Sequence, residues 1–176
     1  MSFSSSLKLI HPDPRYKETF LKALKEFQAE GLSWHVELDY QQIASDFEGY
    51  VQHKLDRTTL KDNILVPETE LWALIDGEYV GRISIRHQLT ESLRKFGGNI
   101  GYDTVPSYRR RGVATQMLAL ALPIAKELEL TQVLLTCNDD NLASIRVIEK
   151  NGGVLQETKI LEDYQVMKRY YWIQLN

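Results

Sequence analysis

"VPSYRRRGVATQML", residues 105–118, sets a proline, three consecutive arginines and a glycine directly ahead of an apolar run. Pro106 ends the extended segment before it, because it has no N–H to give a strand ladder. Val113, Met117 and Leu120 recur at helical spacing, so a helix opens near Gly112. Cations are unfavourable at a helix start, by a few tenths to about 1 kcal/mol each. Three together there ask for a reason. The first turn of a helix has N–H groups without helical partners and carries positive partial charge, which makes it a seat for an anion. Gly112 has no Cβ and Ala114 is small, so a bulky anion can approach the main chain. Arg109, Arg110 and Arg111 add charge, and Thr115 adds a hydroxyl. The set suits a diphosphate better than a single carboxylate. A nucleic-acid patch is the competing reading, but the run lacks interleaved aromatics and a wider basic face.

The elements on either side follow from local pattern. Upstream, "LWALID" and "GEYVGRISIRH" make a hairpin about Asp76 and Gly77. "GGNIGYDTV", residues 97–105, is the third strand of that meander, and its glycines suggest a bulge or a close backbone approach. A first strand is expected over residues 6–10. A helix with Phe20, Leu21, Leu24 and Phe27 on one face follows it, and Asp39 caps a second helix through Leu55. Downstream, the helix from Gly112 to about Leu130 contains Pro123 and should bend there. A strand over 132–137, a helix over 141–150 and strands over 154–160 and 167–175 complete the chain. The order is β-α-α-β-β-β-α-β-α-β-β. It predicts an α/β (α+β) fold with a mixed sheet and helices on its faces, as one domain over residues 1–176.

Composition excludes several classes. A net charge of −3 argues against bulk attraction to nucleic acid or an anionic membrane. The one cysteine, Cys137, permits no internal disulfide and reads as a buried small hydrophobe. The four histidines show no metal spacing, so no metal is expected. The N-terminus lacks the pattern of a signal peptide, and no run is long enough to span a bilayer. A cytoplasmic protein is expected, either monomer or homodimer.

The loop matches neither a P-loop nor G-x-G-x-x-G. It reads Arg-x-x-Gly-x-Ala at Arg109, Gly112 and Ala114. That pattern resembles the acetyl-CoA loop of the GNAT superfamily of N-acetyltransferases. "NDDNLASIRVIEKNGG", residues 138–153, is similar to a second segment of the same family. "GRISIRH", "GGNIGY" and "RYYWIQL" resemble a bacterial branch of predicted acetyltransferases. The resemblance covers residues 71–153.

The resemblance implies a twisted, mostly antiparallel sheet of about seven strands, splayed between strands 4 and 5, with helices on both faces. It implies acetyl-CoA as co-substrate and direct transfer to a primary amine of a small molecule or a protein. The pantetheine arm would pair with the fourth strand near Thr104 and Val105. The diphosphate would meet Arg109, Arg110, Arg111, Gly112, Val113, Ala114 and Thr115. Asn141 and Ser144 would stand beside the arm, and Asn141 also reads as a helix cap. The connector "EGLSWHVELDY" would wall the acceptor site with Trp34, His35 and Tyr40.

The acid and base are not settled by the pattern. The family's proton-donating tyrosine matches Ile148, and the branch's histidine matches Asn99. Asp103 is the candidate base and Tyr102 a further catalytic candidate, with His87 and Tyr164 behind them. An acyl-CoA-binding sensor or partner module with a reduced catalytic apparatus is the alternative that these departures leave open.

Overall fold

The computed structural model describes residues 6–31, 37–59 and 65–176. Strand β1 (Lys8–Ile10) leads to Asp13, whose carboxylate caps the turn Pro14–Tyr16. Helix α1 (Lys17–Ala29) buries Phe20, Ala23, Leu24 and Phe27, the face its spacing specifies. The helix expected from Asp39 through Leu55 is in fact two. Asp39 caps α2 (Tyr40–Ser45), and Asp46 caps α3 (Phe47–Asp56) by accepting the Gly49 N–H at 3.0 Å. Asp46 leaves helical geometry (φ −133°) because its side chain satisfies the new helix start.

β2 (Glu68–Ile75) and β3 (Glu78–Arg86) form the expected hairpin. Asp76 and Gly77 both take positive φ, 53° and 82°, as a two-residue turn of this hand requires. β4 (Ile100–Thr104) pairs with β3 in unbroken register, so Gly101 marks no bulge. Between them lies a short helix, α4 (Glu91–Lys95), which the sequence pattern did not announce. α5 (Val113–Glu127) runs through Pro123, where the Ala119 carbonyl forgoes its helical donor, and ends three residues before the expected Leu130. β5 (Gln132–Asn138), α6 (Leu142–Lys150), β6 (Val154–Leu161) and β7 (Val166–Gln174) complete the chain.

The seven strands divide into a sheet β1-β2-β3-β4 and a sheet β5-β7-β6. Every pairing within them is antiparallel. β4 and β5 are neighbours that form no ladder, so the expected splay is a true division of the sheet. Two cores cover the faces. α5 sets Met117, Leu118 and Ala121 against Val80, Ile83, Ile85 and Val133. On the other face α1 and α3 bring Phe20 and Phe47 onto Trp72 and Tyr79. Burial of side chains of this size contributes roughly 1.5–3 kcal/mol each.

Candidate functional site

The division between the sheets starts at Asn99. Its N–H donates to the Leu134 carbonyl at 2.7 Å, and its Oδ1 accepts the Leu134 N–H at 2.8 Å. Beyond this junction β4 and β5 part. The antiparallel ladder fixes which groups of β4 face the gap. The Arg86 N–H bonds the Asn99 carbonyl and the Val105 N–H bonds the Val80 carbonyl, so Gly101 and Asp103 turn their main-chain groups toward β3. Tyr102 and Thr104 turn theirs toward the gap. The Thr104 carbonyl is taken by Arg109 Nε at 3.1 Å. Thr104 Oγ1 is buried with no hydrogen-bond partner among the described residues.

Past β4, the chain makes the turn Pro106–Tyr108 and then the arginine run. Arg110 (φ 59°) and Gly112 (φ 79°) both occupy the left-handed region. Gly112 is the N-cap of α5 and offers no side chain to its first turn. The N–H groups of Val113, Ala114 and Thr115 therefore point out of the helix end without carbonyl partners in the helix. A Cβ on Gly112 would meet only Gln116, at 3.9 Å, so glycine is needed there for its φ and not to avoid a clash.

The three arginines have different surroundings. Arg109 is gripped by Glu30 through two hydrogen bonds of 2.5 and 2.7 Å. Arg111 lies over the Tyr108 ring, 5.5 Å from its centre. Arg110 lines a cavity of about 750 Å³ that opens between the α5 start and α6. Thr104, Arg109, Gly112, Val113, Ala114, Thr115, Asn141 and Ser144 line the same cavity. Val105 and Arg111 stand off it: Val105 is packed into the aromatic core with its N–H on Val80. Asn141 does cap α6, accepting the Ser144 N–H at 3.0 Å, while also facing the cavity. Two cations of the cavity went unread in the sequence, Arg146 and Lys150. They sit four apart on α6, which is the available signal.

Tyr102, Asn141 and Ser144 also line a second cavity, of about 300 Å³, inside the gap. Gly101, Cys137 and Lys168 complete its inner end. The Tyr102 hydroxyl and Ser144 Oγ lie 2.8 Å apart, and burial pushes the Tyr102 phenol up to about 12. It is a hydrogen-bond donor at neutral pH and no base. Burial also raises the Cys137 thiol, which keeps it protonated, as its reading as a small hydrophobe requires.

Asp103 points to the opposite face of the sheet. Arg82 Nε holds its Oδ2 at 2.9 Å. It lines the large cavity and also a pocket of about 130 Å³ built from Phe20, Leu24, Phe27, Leu38, Tyr50 and Tyr79. Behind it Arg82 reaches Glu70 at 3.4 Å, and Lys54 reaches the same carboxylate at 3.0 Å. Burial pushes the Glu70 carboxyl up, but Lys54 and Arg82 together hold it below its ordinary value. Burial raises the Tyr79 phenol well above its ordinary value.

The remaining candidates lie elsewhere. His87 contacts Thr69 Oγ1 at 2.8 Å, and burial lowers its pKa. Tyr164 packs edge-on against Phe96. Tyr40 sits beneath Lys25 at the rim of the aromatic core. Ile148, at the position of the family tyrosine, is core. Trp34 and His35 lie outside the described residues. Among the described residues, no group of three His, Cys, Asp or Glu is placed to hold a metal, and no helix is long and apolar enough to cross a membrane.

A family model described as an acetyltransferase (GNAT) domain matches residues 11–154. No curated protein matches the sequence. Solved structures match over almost the whole chain. RimL, a ribosomal L7/L12 alpha-N-protein acetyltransferase in complex with coenzyme A, superposes with a TM-score of 0.73 at 17% identity, covering 99% of this chain and 97% of that one. Mycobacterium smegmatis RimJ in complex with CoA-disulfide gives 0.72 at 16% identity, over 96% and 81%. The microcin C7 self-immunity acetyltransferase MccE, in complex with acetyl-CoA and AMP, gives 0.69 at 14% identity, over 96% and 92%. At these identities the likeness is one of fold.

Proposed function

The chain belongs to the GNAT acetyltransferase family and is an acyltransferase; from that premise we propose that it transfers the acetyl group of acetyl-CoA directly to a primary amine of a small molecule or a protein. One observation carries the reading. The cavity at the open start of α5 and the cavity in the gap between β4 and β5 share Tyr102, Asn141 and Ser144 as walls, and the first shares Asp103 with the aromatic pocket. The first two fit the cofactor on their own evidence: unpartnered N–H groups at one end, gap-facing main-chain groups of β4 along them, and the buried Thr104 Oγ1, unpartnered among the described residues, beside these groups.

The residues divide the work. The N–H groups of residues 112–115, with Arg110, Arg146 and Lys150, hold the diphosphate. Arg109 braces the loop through Glu30 and the Thr104 carbonyl. The gap-facing groups of Tyr102 and Thr104 align the arm, and an N–H among them stabilises negative charge on the thioester oxygen. Bound acetyl-CoA supplies an acetyl thioester whose thiolate is a fair leaving group.

The acceptor enters from the α1 and α3 side. A lysine-like amine has a pKa near 10.4, so roughly one in a thousand is neutral at pH 7.4, a deficit of about 4 kcal/mol. Asp103, oriented by Arg82, binds the ammonium, which loses its first proton to water, and accepts the second proton that the nitrogen sheds as it bonds the thioester carbon. Tyr102, at about 12, lies more than 3 pH units above a free thiol near 8.5, so full transfer of its proton to sulfur would be uphill by about 5 kcal/mol. It therefore steadies the leaving sulfur as a hydrogen-bond donor. The arginine run serves the loop and not nucleic acid, since Arg109 is bound to Glu30 and Arg111 to Tyr108. Residues 1–176 act as one catalytic domain, in the cytoplasm.

A thiol-release assay with acetyl-CoA tests this. The amine panel includes peptide N-termini, because the RimL match is described as an alpha-N-protein acetyltransferase. Amine-dependent release is expected. Coenzyme A binding with no turnover across the panel would contradict it.

A further inference from the structure

Beside the aromatic pocket lies a cavity of about 240 Å³ whose walls are almost wholly charged. Its floor is the face of the sheet that carries Asp103. There Arg86 stands opposite Glu68, and Arg82 stands between Trp72 and Asp103. The end of α3 and the turn after it bring Lys54 and Arg57 over this floor. Lys54 bonds Glu70, and Arg57 bonds Glu68 at 2.8 Å.

The charges do not balance. Lys54, Arg57, Arg82 and Arg86 face the cavity against Glu68 and Glu70, and Asp103 takes up Arg82. Among the described residues each of the three carboxylates thus has its cation, and one cation is left over. It is Arg86. Among the described residues no carboxylate lies within ion-pair distance of it, and its Nη1 reaches only the carbonyls of Gly97 and Gly98, at 3.3 and 3.2 Å. A second donor is unspent: Arg57 Nε is buried with no acceptor among the described residues. Burial disfavours the Arg86 charge, and Glu68 opposite it, already bonded to Arg57, offsets this only in part.

The position says what would make up the rest. The cavity shares Lys54 and Arg82 with the pocket at Asp103, and Arg86 with the cavity inside the gap. A molecule with its amine at Asp103 has this cavity as its neighbour across Lys54 and Arg82. We propose that the acceptor is a primary amine that also carries a carboxylate, and that Arg86 and Arg57 seat that carboxylate. One surplus cation matches one negative charge, which favours a carboxylate over a phosphate dianion, and guanidinium forks match carboxylate geometry. This rests on the reading of the Asp103 pocket as the acceptor site.

Calorimetry on the protein saturated with coenzyme A tests the proposal without requiring turnover. The ligands are N-acetylglycine, N-acetylaspartate and N-acetylglutamate, each beside its fully amidated counterpart. At least one acid should bind about tenfold more tightly than its amide, about the value of one charged hydrogen bond. Arg57→Gln, at a partly exposed position, should abolish that preference while leaving amide binding unchanged. Arg86→Gln should do the same. Equal binding of acids and amides throughout, or a preference that survives both substitutions, would overturn it. Acetylation of neutral amines as fast as of amino acids would also overturn it while leaving acetyl transfer intact. Failure of acetyl-CoA to bind would instead remove the acetyltransferase reading, and the acid-to-amide comparison would still be read on the protein alone. Free amino acids compared with peptides bearing an acidic side chain then identify the source of the carboxylate.

Discussion

Asn99 Oδ1 accepts the Leu134 N–H at 2.8 Å while Asn99 Nδ2 donates to the Arg86 carbonyl at 3.1 Å, so one side chain ties the two sheets together at the base of their division. The main-chain N–H of Asn99 has left β3 for the Leu134 carbonyl, and the side-chain amide fills its place. The residue before it, Gly98, lies so near the Leu134 carbonyl that a Cβ would strike it. The gap proposed to receive the cofactor arm is opened from this point.

Asn99→Ala should therefore cost about 2–6 kcal/mol, because it strands a buried N–H and a buried carbonyl at roughly 1–3 kcal/mol each. Urea unfolding measures it. Coenzyme A affinity should fall in the folded variant. A loss below about 1 kcal/mol would show that packing alone sets the fork.

The two left-handed residues of the arginine run make opposite predictions. Gly112→Ala should destabilise by about 1–2 kcal/mol through its φ, although space is open around it. Arg110→Gly should leave stability unchanged or raise it by up to about 1 kcal/mol, since it relieves the same strain. Both should weaken coenzyme A binding. Calorimetry beside thermal unfolding separates the effects. An Arg110→Gly protein that binds coenzyme A normally would remove Arg110 from the diphosphate site.

Tyr102→Phe should lower kcat about 10- to 100-fold and change the KM for acetyl-CoA less than twofold. With its phenol at about 12, Tyr102 stays protonated through pH 10 and adds no basic limb to the rate profile below that. The folded state holds this proton more tightly than the unfolded chain, whose tyrosine titrates near 10. The stabilisation is thus complete below pH 10 and is lost as pH rises through 12, by about 3 kcal/mol. The Phe variant should lack that decline, which denaturation midpoints at pH 9 and 11.5 would reveal.

Glu70→Gln should cost about 3–5 kcal/mol at pH 7, because Lys54 and Arg82 lose a buried counter-charge. The Glu70 carboxyl sits below its ordinary 4.5 in the folded state. Its stabilisation is present above that value and is lost as pH falls through the folded pKa. The difference between the two proteins should accordingly shrink toward pH 3. A gap independent of pH would assign the loss to packing.

The sequence disclosed what depends on near neighbours. Pro106 and Gly112 mark the end of β4 and the start of α5 because each acts on its own backbone. The Asp76 and Gly77 turn is equally local. What escaped depends on distant partners. Arg109 reads as a free cation until Glu30, seventy-nine residues away, is seen to hold it. Arg82 and Glu70 read as ordinary polar positions of two strands until α3 lays Lys54 over them. Asp46 looks like any helical aspartate, and only its capping of Gly49 shows that one helix is two.

Amide hydrogen exchange with and without acetyl-CoA tests the central claim most directly. The account predicts slower exchange in residues 110–115 and in β4 (Ile100–Thr104) when acetyl-CoA is added. Binding that leaves both segments unchanged and protects another part of the chain would contradict it.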